Sequence, residues 1–392
     1  MAFNAVAPTT LQRAVRVCGM KTFRFVRPLM FVLILGVIAL VYLAGRRPRG
    51  PASLDATAGT NRAALGTESS FKKRANGSPF KNPASDSVEP APPVNTSNFF
   101  QRVASGELEV DLTSEQWAEY FRQHGTNVET LLGSQKRDNI RRAAELFPDD
   151  PRVQYAVVTR DIYPEARREW LDGFKASAPD NAMASYLSAR EYLKAGDREQ
   201  GLRELTEAAA KPHFNDYRAE VTQNREEAQL SAGRTVAEAK YAAMSGVLIP
   251  QLSMLKDVSA NLVTMQKDYV GAGDTASAEA LAQMARSLGQ RLTTGEGSGY
   301  VINQYVGIAI EVRTLKELPL DSHPEYLGQS QSVSERLAEL TAQKKSLQSL
   351  YPPVDEMLAQ GHEGEIVSFF DRMKLQGEYK ALLWLRNRNQ LR

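Results

Sequence analysis

One spaced set of residues occurs twice in this 392-residue chain, and it restricts the fold more than any other feature. Tyr192-x3-Gly196-Asp197-x3-Gly201-x3-Leu205-x2-Ala208 returns as Tyr269-x3-Gly273-Asp274-x3-Ala278-x3-Ala282-x2-Ala285. Each part has a physical reason. The tyrosine closes one helix, the glycine ends it in a left-handed turn, and the aspartate caps the first amides of the next helix. Small residues at 201 and 208, or at 278 and 285, let the two helices of a pair approach closely. The set therefore predicts two helical hairpins and an all-α body.

Three turns extend the pattern: Phe147-Pro-Asp-Asp150, Ala178-Pro-Asp-Asn181 and Lys211-Pro-His213, with prolines 31 and 33 residues apart. A period near 34 residues marks a repeat architecture. On these residues the chain resembles the tetratricopeptide repeat (TPR) family. The match is close over 182–212 and 259–289 and looser over 148–181 and 114–147. It departs from the family at Ser185 and Asn261, where a large aromatic is usual, and at Arg167, where a small residue is usual. The tandem breaks at 213–258, so the resemblance implies an irregular superhelix of TPR-like hairpins. The stretch from Leu112 to Leu315 is also similar to a bacterial family of membrane-anchored repeat proteins, a likeness that lends no activity.

Upstream, Pro28–Gly45 is an eighteen-residue run without a charge. As a helix it reaches about 27 Å, enough for a thin hydrocarbon core. A cleaved signal peptide is the rival reading, but no small-x-small pair ends the run and no cysteine follows to be lipidated. An uncleaved single transmembrane helix at 28–45 is the expectation. Eight of the 48 basic residues precede Asp55, the first acidic one. They lie on both sides of the span, so orientation is nearly balanced. A short tail without acidic residues at 1–27 favours an inside amino terminus and an exported body, on the periplasmic side of an inner membrane. Met20 also reads as a natural start, and beginning there weakens that preference. Residues 46–97 hold seven of the nineteen prolines with much Ser, Gly, Ala and Asn. Too few large apolar residues remain to offset ordering entropy, so the segment reads as a disordered linker reaching on the order of 40 Å.

The expected domains are the tail 1–27, the anchor 28–45, the linker 46–97, a TPR-like array at 98–290 and a C-terminal helical region at 291–392 that caps it. Thr113-Ser-Glu-Gln116 is a capping box opening a helix with Trp117, Tyr120 and Phe121 on one face. Val301, Tyr305, Ile308, Val312 and Leu315 predict a nearly enclosed helix, with a strand as the alternative. Val333, Leu337, Leu340, Leu347 and Leu350 predict a long surface helix, and Ile366, Phe369, Phe370 and Met373 one face of a cap.

Chemistry is sparse. One cysteine, Cys18, and four histidines exclude a cysteine-based metal site or a disulfide-stapled fold. Beyond the basic amino end the chain is net acidic, against nonspecific nucleic-acid binding. Gly295-Glu-Gly-Ser-Gly299 matches neither a nucleophile elbow nor a phosphate loop and reads as a flexible connection. Glu226-Glu227 and Glu363-x-Glu365 read as solvated charges. No cofactor, metal or small-molecule substrate is expected, and no catalytic residue is assigned. The resemblance instead implies a protein partner lying along the first helix of each repeat. Mapped onto this chain, the groove-facing candidates are Met183, Tyr186 and Arg190, with Val263 and Lys267 in the second repeat. Arg190 and Lys267 share a repeat position and would grip an acidic partner segment, although both also suit solvated helix positions. The expected function is a membrane-tethered scaffold or adaptor. The alternatives are a cytoplasm-facing tether that regulates a soluble enzyme, and a hydrolase using 290–392.

Overall fold

The computed structural model describes residues 109–328, 330–351, 353, 354, 357 and 363–390, all within the compact unit Asn95–Arg392. The anchor at 28–45 and the linker at 46–97 lie outside the described residues. Among the described residues every regular element is a helix, and none is long and apolar enough to cross a membrane. In chain order the helices are α1 (Ser114–His124), α2 (Val128–Gly133), α3 (Arg137–Leu146), α4 (Pro151–Thr159), α5 (Arg167–Ser177), α6 (Ala182–Ala195), α7 (Arg198–Ala210) and α8 (Arg218–Ser231). They continue as α9 (Val236–Ser245), α10 (Pro250–Gly271), α11 (Thr275–Thr293), α12 (Val301–Leu315), α13 (Val333–Gln348), α14 (Glu363–Gln376) and α15 (Glu378–Gln390).

The duplicated residues do what their chemistry requires. Gly196 and Gly273 adopt φ of +86° and +77°. The amides of Asp197 and Asp274 bond back to the Tyr192 and Tyr269 carbonyls at 2.9 Å, and their carboxylates cap the Gln200 and Ser277 amides. A side chain at Gly201 would collide with Leu193, while Ala208, Ala278 and Ala285 are fully buried. Both segments are helical hairpins, α6–α7 and α10–α11.

Although 213–249 separates them in sequence, the two hairpins stack directly: α10 packs on α6 and α11 on α7. The α4–α5 hairpin precedes them through α5 against α6, and α12 follows against α10 and α11. Met183, Tyr186 and Leu187 of α6 share one core with Leu255, Val258 and Leu262 of α10. The intervening α8–α9 hairpin leaves the stack and instead covers α1 and α2 on one side and α14 on the other. The 114–147 segment is not a hairpin but three short helices, opened by the expected Thr113–Gln116 capping box.

The stretch from Val301 is a helix, not a strand, and it is enclosed as its pattern predicted. It is not the end of the body, because α13 packs onto it through Val333 and Leu340. Its closest neighbour is α11, where Gly289 and Gly307 meet. A Cβ on Gly307 would lie 2.6 Å from the Gly289 carbonyl oxygen and 3.0 Å from Leu292 Cβ. Ile366, Phe369 and Phe370 of α14 are buried, and the helix packs on α9 and α15.

Several charges taken as solvated are structural. Glu226 is only 7% exposed and accepts from Lys240 at 2.6 Å and Lys374 at 2.8 Å. Lys240 also pairs with Asp371, so α8, α9 and α14 are joined by one charged cluster. Glu365 is likewise buried and pairs with Arg388 at 2.9 Å. Burying such groups is tolerable only with partners, which is why they occur in alternating signs.

The glycine crossing generates a prediction. Gly307→Ala should destabilise the protein by about 2 kcal/mol, because the clash is with backbone that cannot rotate away and outweighs the gain in helix propensity of about 0.5–1 kcal/mol. Gly271→Ala, where an added methyl meets nothing within 4 Å, should be neutral or slightly stabilising. Urea denaturation of the two variants checks the contrast.

Candidate functional site

The residues chosen from the repeat register divide in the structure. Met183 and Tyr186 are 0% and 1% exposed and belong to the core between α6 and α10, so they offer no surface to a partner. Burial pushes the Tyr186 hydroxyl up to about 12. Arg190 is mostly covered and donates to Asp257 of α10 at 2.7 and 2.9 Å. It also reaches Glu191 at 2.5 Å, and Glu191 pairs with Arg167 at 3.1 Å, which in turn holds Asp161. This chain of charges fastens α5, α6 and α10 together, so Arg190 and Arg167 serve the stack. Val263 is half-buried, and Lys267 is 61% exposed with a 3.5 Å pair to Glu317. Only this last pair of candidates faces outward.

The structure gathers a different set of residues, drawn from turns that the sequence had marked only as punctuation. The Ala178–Asn181 turn, the segment from His213 to Ala219 and the glycine-rich 296–303 segment together line a cavity of about 650 Å³. Two of these turns are zipped to each other by backbone: the Ala182 amide donates to the His213 carbonyl at 2.8 Å, and the His213 amide to the Asp180 carbonyl at 3.1 Å. Asn181 completes the join. Its oxygen caps the Met183 amide and accepts from the Asn215 amide, while its nitrogen donates to the Asn215 carbonyl.

The glycine-rich segment is not a loose connection. Glu296 accepts from His213 Nδ1 at 2.9 Å and from the Phe214 amide at 2.6 Å. These two bonds hold the Glu296 carboxyl below its ordinary range. Gly297 and Ser298 carbonyls accept from the Asn303 and Gln304 side chains. Behind it, Gly299 touches Gly377 so closely that a Cβ on Gly377 would lie 2.6 Å from the Gly299 oxygen. Glu378 then receives the Val301 amide and the Tyr351 hydroxyl, and burial pushes its carboxyl up.

Arg218 opens α8 at the cavity wall. Its guanidinium lies over the Tyr300 ring, 3.6 Å from the centroid, an attractive placement against the ring face. Asp216 is fixed by the Arg218 amide and by Gln251, at 3.2 and 2.8 Å. Burial raises both Tyr217 and Tyr300 hydroxyls. The cavity thus has aromatic walls, an ordered polar rim and three carboxylates, from Asp180, Asp216 and Glu296. None of the usual sequence signals pointed here, because helix N-termini and turns meet only after the stack has formed. Proline spacing marked the turns, not their convergence.

No serine or cysteine on the lining is paired with His213, whose partner is Glu296. Among the described residues no group of three or more His, Cys, Asp or Glu is placed to hold a metal ion.

The Glu296 contacts predict a pH dependence. A carboxyl whose folded pKa lies below its unfolded value adds stability that is fully present above the usual 4.5 and is lost as pH falls through the folded value. Glu296 is half exposed, so the contribution is at most about 1 kcal/mol. Glu296→Gln should therefore lower the urea midpoint at pH 6, and that difference should shrink as pH falls below 4.5, measured against the unsubstituted protein. Comparison with protein-family models, with curated proteins and with solved structures finds no match to this chain.

Proposed function

We propose that this protein is a membrane-tethered scaffold or adaptor that holds a partner protein on a TPR-like array and carries out no catalysis itself. In this reading residues 28–45 anchor the chain as a single transmembrane helix, 46–97 serve as a flexible tether, and the body lies on the extracytoplasmic side of the membrane. The α4–α5, α6–α7 and α10–α11 hairpins supply the TPR-like superhelix, with 291–392 as its cap.

The observation that carries the reading is the cavity where the inter-hairpin turns converge. Stacked hairpins expose a series of turns and helix ends at fixed spacing, and such surfaces bind extended segments of other proteins. Here the turns are not merely exposed. They are locked to each other by backbone bonds and by Asn181, so a partner would meet a preformed surface and lose less ordering entropy on binding. The outward-facing Lys267 on α10 provides a second point of approach.

Site-specific photo-crosslinking in intact cells tests this. A benzophenone side chain placed at Ala219, on the cavity rim, or at Lys267, on the outer face of α10, should each be compared with one at the exposed Ala276. A discrete protein adduct from Ala219 or Lys267 that is absent from Ala276 is the expected result. No adduct from either position, or the same adducts from all three, would overturn the scaffold reading. Labelling of a Ser85→Cys variant, with Cys18 replaced, by an impermeant maleimide should occur without lysis. Protection until lysis would place the body in the cytoplasm.

A further inference from the structure

The α14–α15 hairpin carries one edge that the packing of the body leaves open. α15 buries Ala381, Leu382 and Leu385. Lys380, Trp384 and Arg388 recur at intervals of four along the border of that buried face. Trp384 is half-buried, and two guanidinia lie over its ring: Arg372 of α14 at 4.6 Å from the centroid and Arg388 at 5.6 Å. One turn beyond Arg372, Leu375 is 78% exposed, more than any other large apolar residue of the described body. A different side of α14 carries Asp371 and Lys374, which are engaged by Lys240 and Glu226.

The charge on this edge is positive. α15 holds Lys380, Arg386 and Arg388 against one carboxylate, Glu378, which is turned inward onto the Val301 amide and the Tyr351 hydroxyl. On α14, Glu365 pairs with Arg388 and Asp371 with Lys240, which leaves Glu363 at the far start of the hairpin. Lys380 is exposed, and among the described residues neither it nor Arg372 has an ionic partner. Cations on long apolar stems, an indole and an exposed leucine side by side are the composition of a surface that works at a membrane interface. An acidic peptide would pair the cations and leave Leu375 in water. A phospholipid surface meets both, with phosphates for the cations and the acyl boundary for Leu375 and Trp384.

We infer that the edge formed by Arg372, Leu375, Lys380, Trp384 and Arg388 docks on an anionic phospholipid surface. The inference rests on the membrane-tethered reading above and adds to it a second, reversible contact between body and bilayer. In that reading the tether at 46–97 reaches on the order of 40 Å, which keeps the body near the bilayer and lets a weak contact be populated.

The test uses the full-length chain with Cys18→Ser and Asn387→Cys, the new thiol carrying an NBD fluorophore on the exposed side of α15. The chain is reconstituted in vesicles of phosphatidylcholine alone or with one-third phosphatidylglycerol. With phosphatidylglycerol the emission should move to the blue and be quenched by nitroxide-bearing lipid, and about 0.5 M salt should reverse both. Neither change should occur in phosphatidylcholine alone, nor with the probe at Ala276→Cys. Lys380→Gln should lower the ratio of docked to free body about fivefold, as expected for one cation at a lipid surface, without moving the urea midpoint. Absence of quenching with phosphatidylglycerol, equal quenching in phosphatidylcholine or at Ala276, or no change in Lys380→Gln would overturn the proposal. A larger blue shift from acetyl-hexaglutamate-amide than from phosphatidylglycerol would give the edge to an acidic polypeptide and overturn it as well. A chain that floats with phosphatidylcholine vesicles yet shows no quenching at Asn387 would keep the anchor and lose only the docking edge. A chain that floats with neither vesicle would overturn the anchor and this inference together.

Discussion

The contact between α6 and α10 is the joint on which the rest of the body depends. Each hairpin alone has one apolar face that must be covered, and the natural cover for α6–α7 is the next hairpin of the same kind. The chain delays that hairpin by inserting α8–α9, yet Leu255, Val258 and Leu262 still reach the core containing Met183, Tyr186 and Leu187. The stack closes across the insertion through the apolar stripe of α10 and the buried Ala208 and Ala285, which share its core. Polar residues then fix the alignment. Arg190 and Asp257 set the position of α10 along α6, and the charge is shared onward through Glu191 to Arg167.

The displaced α8–α9 hairpin pays for its excursion by becoming the link between the two ends of the array. On one side Arg225, 2% exposed, donates to the Gly133 carbonyl and to Asp111. Gly246 lies so close to that guanidinium that a side chain there would strike it. On the other side Lys240 and Glu226 pair with Asp371 and Lys374 of α14. Gln135 holds the returning strand of chain, with its amide bridging the Gly246 carbonyl and the Leu248 amide at 2.9 Å. These polar contacts work beside apolar ones, Ala228 against Trp117 and Tyr120 and Tyr241 against Phe370. Such contacts need both partners present, so the hairpin is specific to these neighbours.

What was legible in the sequence follows from the range of each signal. Local chemistry was legible: the left-handed turns at Gly196 and Gly273, the caps at Asp197 and Asp274, the capping box at Thr113 and the apolar faces of α12 and α14 all depend on residues within one or two turns. The close approach at Gly201 was legible for the same reason. Long-range placement was not. Met183 and Tyr186 read as groove-facing because their register in the repeat puts them on the first helix, but α10 supplies a neighbour that the interrupted tandem concealed. Glu226 looked solvated because its two lysine partners lie 14 and 148 residues away. The amino-terminal anchor and linker were read from composition alone, and their residues fall outside those the structure describes.

The cavity follows from the same insertion. After α7 the chain must leave the stack, and it does so through Lys211–Tyr217, where His213 bridges back to Asp180 and Ala182 and Tyr217 takes a positive φ of 54° to start α8. Here the departing segment carries its own caps and acids to a place where α12 begins and α15 abuts the Gly295–Gly299 turn. Helix starts bring unmatched amides and the side chains that cap them, so the walls are polar by necessity. Most of those groups satisfy one another. Asp180, which is exposed, and the buried Asn303 oxygen do not.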